Sequence, residues 1–92
     1  METELKIDPL ETDRLILRMW NKNDINSYAE ICADAETMKY IGGKPLDRIE
    51  TWRSVAWFIG HWHLKGYGLW AVEEKESKTL LGRIGFINPE GW

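Results

Sequence analysis

One cysteine, Cys32, stands in 92 residues. A lone thiol excludes an intrachain disulfide framework and supplies no metal-ligand set. It suits a reducing cytoplasm, with Cys32 packed as a small core residue. No apolar run approaches the roughly 18 residues that a membrane-spanning helix needs, and the acidic start Met1-Glu2-Thr3-Glu4 lacks the basic region of a signal peptide. No membrane partner is therefore expected. Positive charge is also short: 12 Lys and Arg against 15 Asp and Glu leave a net charge of −3, with a pI near 5.3. Proteins that grip the phosphate backbone cluster cations on one face, so nucleic acid is excluded as the expected partner. Also missing are a Gly-x-Ser-x-Gly elbow, a Cys–His pair with an orienting acid, and a carboxylate pair at meaningful spacing.

Tryptophan is plentiful, with six in the chain. Indole is costly to bury unless its N–H finds an acceptor, and it is favoured at interfaces, so some of these rings are expected to meet something outside the chain. An apolar fraction of 43% suits one small domain spanning residues 1–92.

Hydrophobic periodicity orders the elements. Met1 to Pro9 reads as a loosely held polar arm. Arg14 to Met19 alternates, with Leu15 and Leu17 on one face and Ile16 and Arg18 on the other, which predicts a strand. Asn23 or Asp24 can cap a helix carrying Ile25, Tyr28, Ala29 and Cys32 at helical spacing and ending near Ala33. Asp34 to Tyr40 adds a helical turn before Gly42-Gly43-Lys44-Pro45 breaks regular structure. Asp47 and Glu50 form a capping-box pair, after which Ile49, Trp52, Ala56, Ile59 and His63 share a helical face. Val55, Phe58 and Trp62 broaden that face, so a substantially buried helix to about Lys65 is predicted, stopped by Gly66. Leu69 to Glu73 and Leu80 to Ile87 read as a hairpin around the polar run 74–79. The order is β-α-α-β-β, an α+β class with helices packed on a small antiparallel sheet.

Candidate chemistry is sparse. His63-Leu64-Lys65-Gly66-Tyr67-Gly68 has the spacing of a phosphate loop, but a helix precedes these glycines and a strand follows. The free groups at a helix end are carbonyls, which repel an anion, so the segment reads as a C-cap. Gly82 and Gly85 lie inside a strand and mark a bulge or a close backbone approach. His61 and His63 point to different sides of a helix and cannot share a metal, and His63 reads as a half-buried histidine. Asp13, Asp24, Asp34 and Asp47 occupy turn or helix-start positions. Glu73, Glu74 and Glu76, interleaved with Lys75 and Lys78, read as a solvated hairpin tip.

Four ordered blocks carry a resemblance: Leu10 to Arg18, Asp34 to Gly43, Gly66 to Glu73, and Leu81 to Trp92. Together they resemble the N-terminal half of the GNAT N-acetyltransferase superfamily, in the branch that includes the ribosomal-protein acetyltransferases. The resemblance implies a partial GNAT fold and acetyl transfer from acetyl-CoA to an amine acceptor. In that family the coenzyme's pyrophosphate is held by a later strand, a Gln/Arg-x-x-Gly-x-Gly/Ala loop and the helix that it opens, none of which occurs before Trp92. The chain alone is therefore expected to be inactive and to bind acetyl-CoA poorly, with no catalytic or cofactor-binding residue of its own. The acceptor-side wall maps onto Tyr40, Ile41, Gly42 and Gly43 in the loop, Trp70 on the second strand, and Phe86 and Asn88 at the end of the third.

A third strand lacking its neighbour would expose unpaired amide and carbonyl groups, a template for another chain. A homodimer through that strand or its Trp92-bearing tail is expected, or a second-half polypeptide as partner. The alternative is a non-catalytic dimeric module for a ligand or protein, with Trp52, Trp57, Trp62 and Trp70 lining an apolar cleft.

Overall fold

A computed structural model describes residues 7–41 and 43–91, with the side chains of Tyr40 and Ile41 outside that description. Four strands form one antiparallel sheet in the order β1 (Leu10–Glu11), β2 (Leu15–Arg18), β3 (Leu69–Glu74) and β4 (Leu80–Gly85). Between β2 and β3 come helices α1 (Asp24–Ala33), α2 (Ala35–Ile41) and α3 (Arg48–Lys65). The fold is α+β, as the periodicity predicts.

The short β1 is an addition to the predicted order. Thr12 makes it: its N–H donates to the Leu15 carbonyl at 2.8 Å, and its hydroxyl accepts from the Leu15 N–H at 3.0 Å. That closed turn folds Leu10 back opposite Leu17. The predicted arm before it falls largely outside the described residues. At the other end the ladder stops at Gly85 rather than Ile87, although Ile87 still packs partly buried against the core.

Register explains the core. Arg18 lies opposite Ala71, and Ala71 opposite Arg83, so these share one sheet face. Leu69 and Ala71 are buried there with Leu80, among Trp20, Tyr28, Cys32, Val55 and Phe58. Trp20 sits edge-on to Tyr28 at 5.0 Å and against Phe58 at 5.3 Å, geometry that suits aromatic quadrupoles. The Arg83 guanidinium lies 5.3 Å over the Phe58 ring. On the other face Leu17 is opposite Val72 and Trp70 opposite Ile84. These four are half-buried or exposed, so that face is only partly covered.

Two helix predictions need correction. Neither Asn23 nor Asp24 caps α1 with its side chain: Asn23 makes no side-chain cap bond, and the Asn21 side-chain oxygen accepts from the N–H groups of Asn23 and Asp24. Asp24 is instead buried against Arg18, whose guanidinium donates to both of its oxygens at 2.8 and 2.9 Å. The same guanidinium reaches Glu73 at 2.8 Å, tying β2, α1 and β3 together. The second correction concerns the phase of α3. Its buried face is Thr51, Val55, Phe58 and Trp62, whereas Ile49 and Trp52 are exposed, as are Ala56 and His63. The residues that broadened the predicted stripe face the core, and of the stripe itself only Ile59 packs partly buried against it. Both ends of α3 agree with expectation. Asp47 and Glu50 form a reciprocal capping box, and Gly66 takes φ 80° with its N–H on the Trp62 carbonyl at 2.9 Å, a left-handed conformation cheap only for glycine.

Candidate functional site

Where α3 ends and β3 begins, the chain doubles back across the sheet edge. Trp62 donates its indole N–H to the Leu69 carbonyl at 2.8 Å, and Trp70 stands edge-on to it with centroids 4.6 Å apart. Around this pair Leu17, Tyr67, Ile84 and Phe86, with Gly66, Gly68 and Gly85, line a depression of about 460 Å³. No Asp, Glu, Lys, Arg or His side chain lines it. Aromatic faces and free glycine backbone dominate the surface on offer.

His61 anchors the rear of this corner. It is buried. Its Nδ1 lies 2.9 Å from the Tyr67 carbonyl and its Nε2 lies 2.8 Å from the Asn88 N–H. The carbonyl can only accept and the amide can only donate, so the proton sits on Nδ1 and Nε2 is the acceptor. The ring thereby fastens the segment after β4 to the end of α3. His63, the histidine expected to be half-buried, is exposed. The phase of Thr51, Val55, Phe58 and Trp62 puts residue 61, not 63, beside the core. That phase was the missed signal.

Of the residues expected in an acceptor wall, Trp70 and Phe86 come together in the depression. Asn88 does not line it, and its described hydrogen bond is made by the backbone N–H to His61. Gly43 does not line it either. It turns the chain after α2 at φ 87°, with its N–H on the Met38 carbonyl at 2.6 Å. Gly42 and the side chains of Tyr40 and Ile41 lie outside the described residues. Leu17, Trp62, Tyr67 and Ile84 were not anticipated in this role, because strand and helix patterns assign them to the core or a turn. The four tryptophans of the expected cleft do not share one site: Trp62 and Trp70 meet here, Trp57 lines a separate cavity along α3, and Trp52 lines neither.

A diphosphate would need free amides at a helix start. All three helix starts already hold side-chain oxygens: Asn21 on α1, the Asp34 carboxylate on Glu36 and Thr37 of α2, and the Asp47 carboxylate on Glu50 of α3. Two of the three are anionic and would repel the ligand. The turn at Gly66 to Gly68 closes α3 rather than opening a helix, with Gly66 as its C-cap, as expected. The described residues thus do not fit the diphosphate of a nucleotide coenzyme. They also contain no group of three or more His, Cys, Asp or Glu able to hold a metal ion.

Residues 14–92 match the sequence profile of the acetyltransferase (GNAT) domain. The chain belongs to the GNAT acetyltransferase family. An N-acetyltransferase of Bacillus subtilis (strain 168), YoaA, of uncharacterized role, is 32% identical over 78 residues, which is 84% of this chain and 44% of that protein. The crystal structure of an acetyltransferase from Agrobacterium tumefaciens str. C58 superposes with TM-score 0.77 and 27% identity, covering 97% of this chain and 51% of the other. A GNAT-family acetyltransferase from Bacillus anthracis shares the fold with TM-score 0.70 at 21% identity, covering 91% and 47%. The chain therefore spans about half the length of these GNAT relatives. No described helix is long and apolar enough to cross a membrane.

Proposed function

We propose that these 92 residues supply the acceptor-side half of an acetyl-CoA-dependent N-acetyltransferase domain, and that the chain by itself neither holds the coenzyme nor turns over. The observation that carries this reading is the state of the helix starts: among the described residues each already holds a side-chain oxygen from within the chain, which leaves no helix start vacant for a diphosphate. The family relationship supplies the reaction class, and coverage of about half of each relative agrees with a half-domain.

In such a domain the work of these residues is positional. The aromatic depression at Trp70 and Phe86 excludes water from one side of an incoming amine and orients its carbon skeleton, which is where effective concentration comes from. Deprotonation of the ammonium and stabilisation of the thioester oxyanion require groups that the described residues do not assemble. The outer edge of β4 is the place for the strand that brings them, because among the described residues β4 ends the sheet with β3 alone beside it. A second-half polypeptide or a continuation of the chain is the occupant proposed for that edge. A second copy pairing through β4 would instead give a dimer that Ile84→Lys dissociates. A reducing cytoplasm is the proposed compartment, consistent with the buried free thiol of Cys32.

The test is thiol release from acetyl-CoA with a panel of amines, alongside calorimetry with coenzyme A. The 92-residue chain should show neither turnover nor stoichiometric coenzyme uptake, and both should appear when the chain carries a family second half. Tight uptake by the 92 residues alone would refute the proposal. A second reading, a ligand-binding module without catalysis, is favoured only by the openness of the aromatic depression. It predicts saturable binding of an apolar amine by the isolated chain, lost in Trp70→Ala.

A further inference from the structure

Residues 86–91 pass the end of α3 with little burial of their own to hold them. Phe86 is 83% exposed, and Asn88 and Glu90 are exposed as well. Pro89 and Glu90 line a cavity of about 530 Å³ together with Trp57, Gly60 and Leu64 of the helix, so the segment does not pack flush on α3 there. Ile87 makes a partly buried apolar contact with the core, and His61 makes the polar contact, accepting from the Asn88 N–H at 2.8 Å. Among the described residues no other hydrogen bond joins this segment to a helix. The second ring nitrogen is engaged too, with Nδ1 donating to the Tyr67 carbonyl at 2.9 Å. Trp57 lies tilted against the imidazole and Tyr67 stands edge-on to it, each with centroids 5.5 Å away, which fixes the plane of the ring. Gly68 completes the fit, since a Cβ there would come within 2.9 Å of the Trp62 ring and 3.1 Å of His61 Nδ1.

We propose that His61 is a positioning residue for the acceptor amine: one imidazole holds the backbones of two walls of the aromatic depression, Tyr67 directly and Phe86 through Asn88 two residues on. This rests on the acceptor role proposed above for Trp70 and Phe86. His61 itself does not line the depression, so its effect reaches a substrate through the main chain. Orientation of a reactant is sensitive to displacements of about an ångström, and both walls move if the ring lets go. The clamp needs a donor at Nδ1 and an acceptor at Nε2, two positions set apart across one rigid ring. Asn and Gln also carry one donor and one acceptor, but on a single carbon. Asn reaches only the place of Nδ1, and Gln only that of Nε2.

Nitrogen-15 resonance of the 92-residue chain reads the tautomer directly. A proton on Nδ1 and a hydrogen-bonded, proton-free Nε2 are expected, and the opposite tautomer overturns the proposal. His61→Asn can still donate to Tyr67 but should speed exchange of the Asn88 amide by about tenfold and lower the backbone order at Phe86. His61→Gln, whose carbonyl oxygen extends to the place of Nε2, should restore most of the Asn88 protection. Equal exchange in the two variants overturns the clamp. In the chain joined to a family second half, His61→Asn should raise KM for the amine by about tenfold and leave KM for acetyl-CoA unchanged, a split that a general loss of packing would not give. His61→Gln should recover part of it. An unchanged amine KM, or an equal rise for both substrates, overturns the positioning role. A joined parent that never turns over, with the tautomer and the exchange pattern as expected, refutes the acceptor reading and with it the role in placing an amine, while the clamp itself stands.

Discussion

Trp20 and Trp62 donate their indole N–H groups to one carbonyl, that of Leu69, at 2.9 and 2.8 Å. They arrive from different parts of the chain, Trp20 just after β2 and Trp62 near the end of α3, and they meet at the first residue of β3. Both lone pairs of that oxygen are thereby taken inside the core, and the helix end is locked to the sheet beside the aromatic depression. Trp20→Phe or Trp62→Phe keeps most of the ring volume and leaves one indole on the carbonyl. Each should cost about 1 to 2 kcal/mol. With both replaced, the buried oxygen loses both of these donors, so the double variant should lose more than the sum of the singles, by about 1 kcal/mol. Urea unfolding of the four proteins checks this, and strict additivity would contradict it.

The Arg18 guanidinium joins Asp24 and Glu73, and it also donates to the Met19 carbonyl at 3.0 Å. Asp24 is buried, so removing the cation strands a carboxylate away from water. Arg18→Ala should destabilise the fold by about 3 kcal/mol. Arg18→Lys should recover less than half of that, because an ammonium cannot engage both Asp24 oxygens and Glu73 through one planar fork. Denaturant midpoints of the two variants decide the matter, and equal stability of Lys and Arg at this position would refute the fork argument.

Most of the element order was legible because strong local signals coincide with it. The Asp47 and Glu50 box, the Gly66 stop and the polar run between β3 and β4 depend on chain-local hydrogen bonding and conformation. What was not legible depends on partners distant in sequence. Nothing local says that Asp24 will meet Arg18 rather than cap its helix. The phase of α3 was ambiguous for a related reason: apolar residues occur on two sides of it, and only the position of the sheet decides which side is inside. The candidate site was half visible, since Trp70 and Phe86 follow from the family resemblance. Trp62 and Tyr67 join them only because α3 reverses into β3 through Gly66.

Raising the pH should loosen the core through Tyr28 and Cys32. Burial raises the phenol of Tyr28 above its ordinary value of 10.0 and the thiol of Cys32 above 9.0. In the unfolded chain both groups release protons near those ordinary values, while the folded chain holds them to higher pH. Across that window the native state binds more protons, so stability is intact below about pH 9 and falls as the pH rises beyond it. Urea midpoints from neutral pH to about pH 10 should show the decline, and Tyr28→Phe should shallow it. A flat profile would contradict the assignment.

Gly85 ends β4 at φ 147°, in a region closed to residues with a side chain. A Cβ there would overlap the Gly68 carbonyl oxygen and press on the Leu69 Cα. Two constraints therefore coincide at one position, one from its own backbone and one from the strand beside it, and neither neighbour is a flexible side chain that could move aside. Relief requires β4 to separate from the start of β3, which opens the depression between Trp70 and Phe86. Gly85→Ala should cost about 3 kcal/mol or more, and hydrogen exchange should show faster opening at Leu69 and Trp70 than in the parent chain. A variant within about 1 kcal/mol of the parent, with unchanged exchange there, would mean that the close approach of the two backbones does not shape this corner.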